Sequence, residues 1–356
     1  MKTHLFIRAS LVTALAFQLL SAEAALYFWD NGAGAGDVNW GTTTNWDPDG
    51  VPGPADLAVA NNAALPAVSI STDQSADSFR LSNGGAASQS GGTFTITNGV
   101  GPDNGLWVGE FGPAQSSYTL SAGTLQINDG TDGFQIGRGG SNSGVFTMTG
   151  GTVNKPAGDT VVGLDGTALW DQSGGTFNGA GVQVGWFQSP TATVNLSGAA
   201  VWNTGLVLLS DGSAGFPAAI RSDLNVSGPS VNFTSQGLVV RSKGNVNFDG
   251  SGGGISPLAL SNGQLLLDNA SLGIVNLPTG LSEVPLITGI GSYTGNAAFV
   301  NAPQGTVFGD YTIDYRSDSV VLTAVPEPLS MTVALAAVAG GIMWRRRRVA
   351  ANRMDV

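Results

Sequence analysis

From about residue 79 to residue 275 the chain repeats itself, and this repeat constrains the fold more than any other property of the sequence. One half of the unit reads Leu106-Trp107-Val108-Gly109, Phe134-Gln135-Ile136-Gly137, Thr160-Val161-Val162-Gly163 and Val182-Gln183-Val184-Gly185. Degenerate copies follow at Leu206-Val207-Leu208-Leu209 and Leu238-Val239-Val240-Arg241. The other half carries a glycine corner, as in Gln89-Ser90-Gly91-Gly92-Thr93-Phe94, Phe146-Thr147-Met148-Thr149-Gly150-Gly151-Thr152-Val153 and Trp170-Asp171-Gln172-Ser173-Gly174-Gly175-Thr176-Phe177. The anchors Val108, Ile136, Val162, Val184, Leu208 and Val240 are separated by 28, 26, 22, 24 and 32 residues.

Each half-unit is a short strand with alternating apolar residues that ends at a glycine-containing turn. Strands this short cannot satisfy their backbone groups within one unit. Successive units must pair strand over equivalent strand, at about 4.8 Å per rung. The expected fold is therefore all-β, a right-handed parallel β-helix or a close solenoid relative. A β-sandwich needs antiparallel hairpins with Asn-Gly or Asp-Gly turns and does not explain self-similarity at this period. Stacked Thr and Asn side chains are expected to hydrogen-bond from rung to rung.

Composition agrees with a stack of small-residue rungs. The 356 residues include 53 Gly and no Cys, with 42% hydrophobic and 11% charged residues. Between Leu26 and Pro328 there are 7 basic and 23 acidic residues, a net charge of −16. So acidic a body argues against nucleic acid as a partner, because phosphate contacts need Lys and Arg. The single histidine, His4, lies in the leader described below. The rest of the chain therefore has no imidazole or thiol for a nucleophile relay, a zinc site or a disulfide.

The ends carry export signals. Residues 1–24 have a basic start (Lys2, Arg8), an apolar run over 11–20 and small residues at Ala22 and Ala24, which predicts a secretory signal cleaved before Ala25. At the other end Val325-Pro326-Glu327-Pro328 precedes an apolar run over 329–344 and the cluster Arg345, Arg346, Arg347 and Arg348. That run is marginal for a bilayer, and flanking arginines complete it by snorkelling and set the cytoplasmic side. This three-part tail resembles the PEP-CTERM sorting signal of Gram-negative bacteria. The resemblance implies export through the Sec translocon, a transient inner-membrane anchor formed by a single C-terminal transmembrane helix, and processing near Pro-Glu-Pro by an exosortase-like membrane protease. It further implies delivery to the cell surface or to an exopolysaccharide matrix. The body resembles, more loosely, the β-helical repeat regions of autotransporter passengers.

These readings divide the chain into a signal peptide (1–24), a Trp-rich N-terminal cap (25–60) holding Trp29, Trp40 and Trp46, β-helix repeats (61–275), a small C-terminal β-subdomain (276–324), the sorting signal (325–348) and a cytoplasmic tail (349–356). Few side chains suggest chemistry. Asp129, Asp132, Asp159, Asp165, Asp171, Asp211 and Asp249 stand singly, so the paired carboxylates of a glycoside hydrolase and the grouped acids of a calcium-dependent lyase are missing. No cofactor is expected. Asp47 with Asp49, and Asp129 with Asp132, place oxygens close enough for Ca²⁺, although Asp and Asn in such loops also serve simply as turn formers. Trp107, Trp170, Trp186 and Trp202 are candidates for stacking against sugar rings if they face outward, and are core if they face inward. The expected function is that of an exported, non-enzymatic structural or adhesive protein. The alternatives are a carbohydrate-binding surface protein and a β-helical polysaccharide lyase or hydrolase.

Overall fold

The computed structural model describes residues 24–97, 105–128, 130, 133–140, 142–187, 189–210 and 221–326. They form an all-β, right-handed-like solenoid of about 8 turns. The parallel β-helix expected from the repeat is thus observed, with one difference in the rung. Each full rung has three strands, where the sequence suggested two half-units. Ser116–Ile127 shows why: its burial alternates cleanly in both halves but breaks at Ser121 and Ala122, so one written unit is a bent strand lying in two sheets. The three resulting sheets are called I, II and III here.

Sheet I stacks Leu26–Trp29, Leu57–Ala60, Ser78–Leu81, Leu106–Val108 and Phe134–Ile136 in parallel register, and continues through the second halves of the long strands from Thr152–Val162 to Glu283–Gly295. Sheet II runs from Val68–Ile70 through Ser143–Met148 and Thr167–Gln172 to Ser271–Val275. Sheet III begins at Gln74–Ala76 and takes the remaining halves of the long strands. The parallel stack extends past residue 275, because Ile287 and Tyr293 pair with Leu258 and Leu265 of the preceding rung.

The register corrects one anchor. Val184 pairs with Leu209, not Leu208, and Leu209 pairs with Val240. A one-residue slip turns every side chain to the opposite face. Burial decides the matter: Val207 and Leu209 are fully buried, whereas Leu206 is 46% exposed. Ser210 then occupies the corner held by Gly185 one rung earlier, with a φ of 58° against 73°.

Between sheets II and III the glycines of the Gly-Gly-Thr units form a column. Gly123, Gly151 and Gly175 have φ of 85°, 74° and 72°, a conformation that side chains disfavour. Packing adds a second restriction. A Cβ on Gly151 would lie 2.7 Å from the carbonyl oxygen of Gly123, and one on Gly175 would lie 2.6 Å from that of Gly151. The rungs therefore approach so closely at this corner that each missing side chain is replaced by the backbone of its neighbour.

Inside, aromatic rings stack along the axis. Tyr118 lies on Phe146 at 5.6 Å, Phe146 on Trp170 at 4.6 Å, and Trp170 on Trp202 at 5.7 Å, all buried. Such pairs add roughly 0.5–1.5 kcal/mol each beyond the apolar area they bury.

Both ends of the stack are covered. At the N-terminal end Trp29, Trp46 and Trp40 pack edge to face at 5.1 and 4.7 Å, and Trp40 meets Phe79 of the first rungs at 5.0 Å. Buried Asn45 holds the covering loop: its side chain donates to the carbonyls of Asp37 and Asn39 at 3.1 Å and accepts from the amide of Ala33 at 3.2 Å. At the other end Ser319–Ala324 lies antiparallel across the last rung, Glu283–Gly295, and is flanked by Tyr311–Tyr315. Among the described residues no helix is long and apolar enough to cross a membrane. The segment expected to do so, 329–344, lies outside them.

Candidate functional site

The four tryptophans open to either sugar stacking or core packing do not share a surface. Trp170 and Trp202 are fully buried in the aromatic column, so neither ring has a face open to a ligand. Trp107 points outward from sheet I yet is only 2% exposed. The guanidinium carbons of Arg80 and Arg138 lie 4.1 and 3.8 Å from its ring centroid, a double cation–π sandwich. Arg80 is held in turn by Glu110, with Nη1 3.5 Å from Oε1. Trp186 is half-buried and stacks on Phe187 at 4.8 Å.

The other sequence candidates are scattered along the chain. Asp47 and Asp49 are exposed in the cap, and Asp129 and Asp132 lie outside the described residues. Among the described residues no three His, Cys, Asp or Glu side chains come together in a way that could hold a metal ion. Val325 follows the last strand and donates its amide to the carbonyl of Asp310 at 2.7 Å. Pro326 is the last described residue; Glu327, Pro328 and Arg345, Arg346, Arg347 and Arg348 lie beyond it. At the other terminus Ala24 is exposed and Ala22 lies outside the described part.

The outward-facing positions carry a different feature, which the sequence reading anticipated only in general terms. On sheet III, Gln126, Asn154, Asn178 and Asn203 occupy one register line, a rung apart. Asn178 Nδ2 donates to Asn154 Oδ1 at 3.0 Å, and Asn203 Nδ2 donates to Asn178 Oδ1 at 3.0 Å. On sheet II a second line runs through Asn195, Asn225 and Asn247, with amide-to-amide distances of 2.8 and 2.7 Å. Strand alternation turns these amides outward, because Val153, Phe177 and Trp202, the residues just before the asparagines of the first line, fill the core. The sequence signal was the recurrence of Thr152-Val153-Asn154, Thr176-Phe177-Asn178 and Val201-Trp202-Asn203.

The two ladders differ in surroundings. The sheet III ladder borders a trough of about 570 Å³ whose described lining includes no titratable residue. The sheet II ladder borders a smaller one of about 330 Å³ that includes Asp249. The side chain of Asn276 and the backbone amide of Ser251 hold the Asp249 carboxyl below its ordinary value of 3.8. Asp37 is lowered by the backbone amide of Asn39 and the hydroxyl of Thr42, and Asp314 by Gln304 and Arg316. These carboxylates are stabilised as anions by the neighbours that bond to them. The two amide ladders offer an array of neutral donors and acceptors. No family model, curated protein or solved structure matches the chain.

Proposed function

We propose that this chain is an exported, non-enzymatic structural protein of the cell surface or extracellular matrix of a Gram-negative bacterium. It leaves through the Sec translocon and is sorted through its Val325-Pro326-Glu327-Pro328 tail by an exosortase-type protease. It associates with exopolysaccharide and needs no cofactor. The observation that carries this reading is the pairing of a continuous solenoid with amide ladders along the outward faces of two of its sheets. A repeat stack gains length rung by rung and needs no disulfide to survive outside the cell. Neutral amides suit a hydrated polysaccharide environment, and the acidic body keeps neighbouring copies apart.

The test is deletion of the gene, with imaging of the matrix and of cell aggregation, alongside immunolocalisation of the protein. Loss of matrix cohesion and recovery of the protein outside the cell are expected. Confinement to the cytoplasm, or an unaltered matrix, would sink the reading. Release of sugars from purified exopolysaccharide by the protein alone would replace it with the enzymatic one.

A further inference from the structure

We infer that the trough on sheet III binds an extended, neutral, hydroxyl-rich polysaccharide strand lying along the solenoid axis. This rests on the extracellular reading above and names the surface through which it acts.

Spacing is the first argument. Gln126, Asn154, Asn178 and Asn203 present one amide per rung along a straight line, at intervals of about 4.8 Å. A linear polymer with hydroxyls on every residue meets a donor and an acceptor at each step of such a line. Remaining capacity is the second. An Asn side chain has two N–H donors and an oxygen with two lone pairs. The bonds along the ladder use one donor and one lone pair of Asn178, which leaves the others for a ligand. The ladder also holds each amide in place before binding, so less rotamer entropy is lost when a ligand docks.

The shape of the corner is the third. In the rung of Asn154 the chain bulges, and the register with the next rung breaks between Lys155 and Asp159. Exposed Pro156 forms one wall of the trough there, and Gln236 lies at the far end. Between them the corners shrink to Gly179-Ala180 and Thr204-Gly205. A Cβ on Gly205 would strike the carbonyl of Ala180, so this floor stays low. Charge is the fourth. The described lining is uncharged and the body has a net charge of −16, which disfavours uronic-acid polymers. The sheet II ladder lacks this neutrality, because Asp171 precedes Asn195 in its register and Asp249 borders its trough.

The experiment is calorimetric titration of the exported protein with cellohexaose as a soluble neutral glucan, and with polygalacturonate as the charged comparison. Three variants are compared after their circular dichroism is shown to match the parent. Ala180→Glu places a carboxylate on the exposed floor, Asn178→Ala removes the central amide, and Asn225→Ala alters the other ladder. The expected result is binding of the neutral glucan, abolished by Ala180→Glu and weakened about fivefold by Asn178→Ala for each hydrogen bond lost. Asn225→Ala should leave binding unchanged. The inference is overturned by no binding of cellohexaose, by preference for polygalacturonate, or by insensitivity to Ala180→Glu. If the protein is found outside the cell yet the trough fails these tests, the extracellular reading stands without this site. If the protein never leaves the cytoplasm, that reading fails whatever the trough binds.

Discussion

The backbone nitrogen of Ala25 lies 2.9 Å from Oδ1 of Asp56. Ala25 is also the residue at which signal-peptide cleavage is expected to create a new N-terminus. Its carbonyl accepts from the amide of Leu57, so the residue just before sheet I is already clamped to the next strand of that sheet. The other oxygen of Asp56 accepts from the amide of Gly53 at 2.9 Å. Cleavage before Ala25 turns a neutral amide donor into an ammonium group facing a carboxylate, and charge-assisted bonds are roughly twice as strong as neutral ones.

The exported protein should therefore begin at Ala25, and Asp56→Asn should destabilise it by about 1–2 kcal/mol. Mass spectrometry of the N-terminal peptide and thermal unfolding of both forms check this. A different first residue, or equal melting temperatures, would remove the clamp from the account.

Gly151→Ala should destabilise the solenoid by about 2 kcal/mol or more, because it forces a side chain into left-handed backbone and against the carbonyl of Gly123. Gly36→Ala is the matched control, since a Cβ there meets nothing within 4 Å. Urea unfolding should separate the two clearly. Equal midpoints would mean that the glycine column does not hold the rungs at this distance.

Stability should fall at both the acid and the alkaline extremes of pH. Asp37, Asp249 and Asp314 are held below their ordinary 3.8, so their contribution is present above that value and is lost as pH falls through the lower folded values. Burial raises Tyr118 above its ordinary 10.0 and pushes Tyr293 and Tyr315 up to about 12. Their contribution is complete below pH 10 and is lost as pH rises through the folded values. Denaturation midpoints across the pH range test both arms. The absence of either an acid or an alkaline limb would contradict the assignment.

Asn301 stands in for a missing rung. Its side chain accepts from the amide of Leu272 at 2.9 Å and donates to the carbonyl of Leu272 at 2.8 Å, covering the open edge of Ser271–Val275. Asn301→Leu removes both bonds and leaves a strand edge next to exposed Val275, an arrangement that favours pairing with another chain. Light scattering should then show concentration-dependent association that the parent lacks. A variant that stays monodisperse would show that the edge is protected by other means.

Chain processing gives a further check. Val325 is bonded to Asp310, so folded structure runs up to the first proline of the tail. The mature C-terminus is expected near Glu327 and Pro328, and intact-mass measurement of the exported form reads it directly. Recovery of full-length chain through Val356 from outside the cell would sink the processing step.

Much of the fold was legible because its causes are local. Alternation along each strand separates core from surface, and glycine at the corners permits the backbone its turns. The degenerate copy at residues 206–209 was misread by one position because four consecutive aliphatic residues offer no alternation to read. The face taken by the candidate tryptophans stayed open for a related reason. A Trp at a rung strand is equally compatible with either face, and only register against neighbouring rungs put Trp170 and Trp202 inside.

The sequence by itself determined the kind of object this is: short strands, glycine corners, a period compatible only with stacking, and an acidic body free of cysteine. Tertiary structure decided which residues meet. Equivalent positions such as Phe134, Thr160, Val182, Val207 and Leu238 lie 22 to 31 residues apart, because the corners differ in length from rung to rung. No fixed spacing therefore predicts that Arg80 and Arg138 enclose Trp107, or that Asn154, Asn178 and Asn203 form one hydrogen-bonded line. Those contacts exist because backbone pairing between whole rungs sets the register, and the side chains follow it.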